Sequence, residues 1–211
     1  MSFAAVIFDM DGVLVDSERF WREADGNRIA ELFPEEEVQA IRVAAVGRGM
    51  RGNYAALKAA GKLEMSFEEY AEDRKAFALQ NVYPYTQLIP GVEQFLQLAA
   101  AHGPVGLGSS SPREFIDCVF ARHPLESYFA ATVSSDDVDG REKPLPDIYL
   151  RCAELLAVPP AECLVIEDSA TGVQAGKAAG MTVWAYSYPD NAQQDFSQAD
   201  AVFSDFTSLS L

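Results

Sequence analysis

The 211-residue sequence predicts an α/β fold, a mainly parallel sheet with a block of helices inserted after its first strand. Three observations predict it. Short β-branched runs recur along most of the chain and alternate with helical periodicity, the pattern of βαβ units. Residues 16–85 break that rhythm and read as helix after helix. Polar residues gather where the apolar runs end, which is where an open parallel sheet binds its ligands.

The first strand is Val6-Ile7-Phe8, which runs straight into Asp9; a second carboxylate follows at Asp11, then Gly12. The helices expected next cover residues 18–33, 34–46 and 52–60, with a last one opened by the capping box Ser66…Glu69. Val92, Phe95, Leu96 and Leu98 mark a helix over 92–101, and a strand over 105–107 ends at Gly108-Ser109-Ser110-Ser111. Ser111-Pro112-Arg113-Glu114 has the form of a second capping box with proline at the first helical position. A strand over 131–133 leads through residues 134–142 to Lys143-Pro144, and the helix after Pro146 carries Ile148, Tyr149, Cys152, Leu155 and Leu156. A strand over 164–166 ends on Glu167-Asp168-Ser169, and the helix that follows, over about 171–179, stops at Gly180. Strands over 182–184 and 201–203 complete the series. The domain boundaries that follow are 1–15 with 86–211 for the α/β core, and 16–85 for the helical insertion.

Composition excludes several function classes. A net charge of −16 argues against nucleic acid or an anionic membrane surface as partner. No apolar run approaches the roughly 18 residues that cross a bilayer, and the first eight residues lack the basic start of a signal peptide. Cys118, Cys152 and Cys163 form no C-x-x-C pair and sit in apolar stretches, which reads as free thiols in a reducing cytoplasm rather than a zinc site. Residues 16–85 hold 13 acidic and 10 basic side chains, so most of the excess negative charge belongs to the α/β core.

Two carboxylates spaced by one residue at a buried strand end repel each other and lose solvation, so something positive must compensate them. Taken alone, D-x-D is an ordinary solvated strand-to-turn junction, Ser109 a strand-end hydroxyl and Lys143 a surface lysine. Together they form a set at successive strand ends: Asp9 and Asp11, Ser109 and Ser110, Lys143, Glu167 and Asp168. His102 and His123 fall where helices end, where a charge–dipole role suffices; a Ser-His-Asp hydrolase has no support.

The segments DMDGV (9–13), GSSSP (108–112), KPLPD (143–147) and VIEDS (165–169), in this order, resemble the haloacid dehalogenase superfamily. The likeness covers essentially the whole chain and points to the subgroup with a helical cap inserted after the first motif. It implies a Rossmann-like core and catalysis by Asp9, Asp11, Ser109 and Lys143. Asp9 is then the nucleophile, Asp11 the acid/base, and Lys143 and Ser109 the groups that meet the phosphoryl oxygens. It also implies Mg²⁺ as cofactor, with Asp9, Asp11 (through its backbone carbonyl), Glu167 (through water or the outer shell) and Asp168 as the metal set. The expected activity is hydrolysis of a small phosphorylated metabolite, a sugar phosphate, through an aspartyl-phosphate, by a cytoplasmic monomer. The alternative is a β-phosphoglucomutase-type mutase; that branch carries a cap histidine where this chain has Trp21, and DSERFW (16–21) looks instead like the hexose-phosphate phosphatases.

Two look-alike motifs are set aside. GRGMRG (47–52) matches G-x-G-x-x-G, but no strand leads into it, so a dinucleotide site lacks its context. It reads as a cap loop whose Arg48 and Arg51 meet an anionic substrate, with Arg48 and Ser110 as the substrate-binding residues. Residues 135–146 fail as a calcium loop at the first and twelfth positions. A binding module freed from catalysis would be expected to lose Asp9, Asp11 or Lys143, and all three are present.

Overall fold

The computed structural model describes residues 3–21, 23, 34, 37, 49–61 and 63–211. They divide into two compact units, Met1–Asp16 with Thr86–Leu211, and Ser17–Tyr85. The expected helix over 34–46 and most of that over 18–33 lie outside the described residues, as does Arg48.

In the second unit, residues 17–21 are helical, followed by α1 (Gly49–Ala59) and α2 (Phe67–Asn81). The capping box at the start of α2 forms as the sequence predicts: Ser66 Oγ accepts from Glu69 N, and Glu69 Oε2 accepts from Ser66 N. Helix α1 starts earlier than predicted, so the last four residues of GRGMRG are helical rather than loop. Leu57, Leu63 and Tyr70 form a small buried cluster. Arg74 is buried with its guanidinium 4.7 Å from the ring centroid of Trp21, which also packs against Phe77 and Tyr83. Trp21 is therefore a packing residue of this unit.

The first unit is the α/β core. Its elements are β1 (Ala5–Phe8), α3 (Val92–His102), β2 (Val105–Gly108), α4 (Arg113–Arg122), β3 (Ala131–Val133), α5 (Asp147–Leu156), β4 (Cys163–Glu167), α6 (Ala170–Ala178), β5 (Thr182–Tyr186) and β6 (Ala201–Phe203). The strands pair in the order β3-β2-β1-β4-β5-β6, all parallel, so the fold is α/β and Rossmann-like. Strands β1, β2 and β4 are buried at every residue, because helices cover both faces. That is why they read as unbroken apolar runs rather than alternating ones. One face packs Ile7, Val133, Ile148, Val165 and Val183. On the other, Phe8 meets Phe95 and Phe129 edge-on. Where the chain leaves and re-enters this unit, Asp16 N donates to Gln87 O (3.0 Å), and Gln87 N donates to Asp16 Oδ1 (2.6 Å).

Three details depart from the sequence reading. Leu98 is 42% exposed: the buried stripe of α3 is Val92, Phe95, Leu96 and Ala99, and six residues beyond Val92 the helix has turned onto another face. Leu155 is 48% exposed, at the rim of the buried arc of α5. Ser111 does not cap α4; Pro112 takes the cap position, and Arg113 N donates instead to Asp136 Oδ2 (2.8 Å). Among the described residues, no helix is long and apolar enough to cross a membrane. The cysteines are free thiols, Cys152 and Cys163 buried and Cys118 partly so.

Candidate active site

The chain builds outward from β1 in both directions, with β2 and β3 on one side and β4 to β6 on the other. Loops leaving β1 and β4 at their carboxyl ends diverge there and open a crevice, the switch point of such sheets. Asp9 is the first residue past β1, and its N–H donates to Ile166 O (3.0 Å), which places it beside the end of β4. Glu167 and Asp168 supply the carboxylates on that side.

Lys143 reaches this point from the loop after β3. Its Nζ lies 2.6 Å from Asp9 Oδ1 and 2.7 Å from Glu167 Oε1, with the ammonium over the ring of Tyr149. Glu167 is fully buried, and both its oxygens are engaged. Oε1 accepts from Lys143 and from Tyr149 Oη (2.8 Å); Oε2 accepts from Asp168 N (2.8 Å), Ser169 N (2.9 Å) and Ser169 Oγ (3.0 Å). The last of these donors open α6, so the carboxylate sits at a helix N-terminus, where negative charge is favoured. Ser169 Oγ in turn accepts from Gly172 N (3.0 Å) and caps the helix.

Burial acts on each of these groups, and their partners decide the outcome. At Asp9, desolvation outweighs the nearby Lys143, and Glu167 and Asp11 add to it, pushing the carboxyl up to about 8. At Glu167, desolvation is overcome by Lys143 and the hydrogen bonds, so the carboxyl is held below its ordinary value. At Lys143, desolvation is overcome by Asp9 and Glu167, which hold the ammonium above its usual range. Burial and the neighbouring Glu167 keep Tyr149 protonated, as a donor must be. One lysine shared between two buried carboxylates secures Glu167 and leaves Asp9 under-compensated.

Asp9, Glu167 and Asp168 offer oxygens that all lie within 4.8 Å of one another. Three carboxylates against one ammonium leave a formal charge of −2, and every donor is oxygen, the chemistry of a hard divalent cation. The donor set therefore fits such an ion. Gly12 is what lets the first and fourth motifs approach: its φ is +78°, and a Cβ there would lie 2.0 Å from Asp168 Oδ2.

Asp11 is held from the second motif, Ser111 Oγ donating to its Oδ2 at 2.6 Å. Ser109 is buried, and its hydroxyl accepts from Ser111 N (3.0 Å), leaving its own proton to donate. Ser110 Oγ is buried with no hydrogen-bond partner among the described residues, a polar atom in want of a ligand. The structure thus brings Asp9, Lys143, Glu167 and Asp168 together and sets Asp11 against the serine loop. Arg51 lies over the Phe67 ring, within the helical unit. The histidines are structural in their contacts: His102 Nε2 lies 2.7 Å from Phe3 O, and His123 Nε2 lies 3.1 Å from Thr86 O.

Sequence reasoning missed four contributors. The pattern around Ser111 reads as a helix cap. Tyr149 looked like one more core residue on a helix stripe, and Gly172 carried no signal. Tyr188, whose Oη donates to Asp168 Oδ2 (2.8 Å), follows the fifth strand, and the strand-end rule extended to that strand would have found it.

The haloacid dehalogenase-like hydrolase family matches residues 3–180. Hexitol phosphatase B of Escherichia coli K12 is 34% identical over 214 residues, covering 97% of this chain and 93% of its own. A phosphorylated carbohydrates phosphatase of Thermotoga maritima is 34% identical over 182 residues, covering 84% of this chain and 82% of its own. Among solved structures, a HAD family hydrolase from Deinococcus radiodurans R1, with bound phosphate and sodium, superimposes with a TM-score of 0.70 at 28% identity, covering 97% of this chain and 92% of that one. The chain is an enzyme, and it belongs to the haloacid dehalogenase-like hydrolase family.

Proposed function

We propose that the protein is a Mg²⁺-dependent phosphatase that hydrolyses a small phosphomonoester, a sugar phosphate, through an aspartyl-phosphate on Asp9. The observation that carries this reading is Lys143 bridging Asp9 and Glu167 beside Asp168, a cluster of three carboxyl groups that share one ammonium. The phosphatases among its relatives support the substrate class.

Asp9 and Asp168 would hold the ion through carboxylate oxygens, with the Asp11 carbonyl beside them. Glu167, with both oxygens already engaged, serves chiefly to anchor Lys143 and the backbone of residues 168–169. When bound, Mg²⁺ supplies the positive charge that keeps Asp9 ionised and offsets the phosphoryl oxygens.

The Asp9 carboxylate attacks phosphorus in line, forming an Asp9–phosphorus bond as the bond to the leaving oxygen breaks. Asp11, protonated, gives its proton to that oxygen. Water then attacks phosphorus, Asp11 takes its proton, and inorganic phosphate and free Asp9 are released. Lys143, the Ser109 hydroxyl and the Ser110 hydroxyl meet the phosphoryl oxygens as charge moves onto them. By the family resemblance, residues 16–85 would serve as the cap, with Arg48 as a substrate contact.

The test is phosphate release from a panel of phosphorylated metabolites, with Mg²⁺ and with a chelator, for the wild type and Asp9→Asn. Release that needs Mg²⁺ and is lost in the variant is expected; equal release by the variant removes the mechanism. Steady conversion of β-glucose 1-phosphate to glucose 6-phosphate, primed by the 1,6-bisphosphate, would replace the phosphatase reading with that of a mutase.

A further inference from the structure

Asp168 is gripped by a segment that belongs to none of the four motifs. After β5 the chain makes a short 3-10 turn, Pro189–Asn191. Tyr188 Oη, just before it, donates to Asp168 Oδ2 at 2.8 Å. Asn191, 5% exposed, donates from Nδ2 to the Asp168 carbonyl (2.8 Å) and to the Tyr186 carbonyl (2.9 Å). Its Oδ1 accepts from Tyr188 N (2.7 Å), so the same side chain holds the turn that presents the tyrosine. Three residues on, Gln194 Oε1 accepts from Ala170 N (3.1 Å) at the start of α6.

One loop therefore fixes Asp168 at its carboxylate and at its backbone. The terminal torsion of an aspartate is soft and samples a broad range. An oxygen that is to ligate an ion gains from being held in one orientation before the ion arrives. Here Oδ2 is held on one side by the Tyr188 phenol and packed on the other against Gly12, so the plane of the carboxylate is set.

We propose that Tyr188, seated by Asn191, is a positioning residue for cation binding by Asp168. This rests on the reading of Asp168 as a ligand of the divalent ion. It places part of the metal affinity in the loop after β5, where no motif points.

The experiment is a titration of the metal-free protein with Mn²⁺, followed by electron paramagnetic resonance of the free ion, for wild type, Tyr188→Phe and Asp168→Asn. The melting temperature of each metal-free protein is measured alongside. Tyr188→Phe removes one oxygen and keeps the ring. It is expected to bind Mn²⁺ about 10–100-fold more weakly, while the metal-free protein still unfolds cooperatively, a few degrees below the wild type for the lost hydrogen bond. The Mg²⁺ concentration for half-maximal hydrolysis should rise by a similar factor. Wild-type Mn²⁺ affinity in Tyr188→Phe overturns the proposal, and so does tighter binding, which would mean that the phenol competes with the ion for Asp168. If the wild type binds Mn²⁺ no better than Asp168→Asn, the assignment of Asp168 as a ligand falls, and the role of Tyr188 with it.

Discussion

Lys143 Nζ lies 2.7 Å from Glu167 Oε1, in a carboxylate that accepts four further hydrogen bonds from Tyr149, Asp168 and Ser169. The lysine is thus fastened from behind by a group that is itself immobile, and it turns its remaining charge toward Asp9. Its orientation needs no ligand to set it.

Removing that ammonium leaves two buried carboxylates without their shared partner. Lys143→Met should lower stability by about 3–5 kcal/mol, the range for breaking a buried pair from one side, measured by urea unfolding in chelator. Adding Glu167→Gln to it should cost less than the two single changes together, because the second removes a charge that the first had stranded. Additive losses would show that the two side chains do not share one electrostatic unit.

The metal-free protein should respond to pH through Asp9. Its carboxyl is raised from 3.8 to about 8, so between those values the native state holds a proton that the unfolded chain has lost. The stability this confers is complete below the lower value, declines as pH rises, and is gone above about 8. Asn at position 9 cannot titrate. The unfolding free energy of Asp9→Asn relative to wild type should therefore climb from about pH 4 to about pH 8 and then level off. Glu167, held below its ordinary value, acts in the opposite sense: its contribution is lost only on acidification, outside most of that window.

Ser111 and Asp11 meet across 100 positions of sequence. If the serine holds the acid that protonates the leaving oxygen, its loss should matter most where that proton is needed. Asp11→Asn is expected to slow hydrolysis of an alkyl phosphate by about 10²–10⁴-fold, with Ser111→Ala giving a smaller loss of the same kind. Both should be milder on p-nitrophenyl phosphate, whose phenolate leaves without help. Equal losses in kcat/KM on the two substrates would place Ser111 and Asp11 outside protonation of the leaving oxygen.

Gly172 is held to glycine by the carboxylate beneath it. A Cβ there would fall 1.7 Å from Glu167 Oε1. Gly172→Ala must displace Glu167 and the Lys143 bound to it. It should lower both the melting temperature and turnover, although alanine ordinarily favours a helix. A variant at least as stable as wild type would show that the first turn of α6 can move aside freely.

The strands and the core motifs were legible because their physics is local. Buried parallel strands write themselves as apolar runs, and carboxylates that interrupt such runs stand out. Helix faces were read nearly as well, Leu98 and Leu155 failing where the stripe was drawn too wide. What stayed hidden was the choice of partner. Nothing in the residues around Ser111 reveals that its hydroxyl turns to Asp11 rather than to its own helix. Tyr149 occupies a core position by periodicity, and only the assembled sheet brings its hydroxyl to Glu167. Tyr188 stands just past the end of β5, where the strand-end rule reaches, but its partner Asp168, just past β4, shows only in the assembled sheet. Arg48 falls outside the described residues, and its role stands as proposed.

The pairing of β1 has a consequence for biosynthesis. This strand lies between partners that begin at Val105 and Cys163, so it emerges from the ribosome long before either exists. It is locked on both sides only once the segment through β4 has been made, a long-range closure of the kind that slows folding. Until translation has passed Asp168, Asp9 has neither its lysine fully anchored nor its fellow carboxylates, and a nascent chain carries no working catalyst.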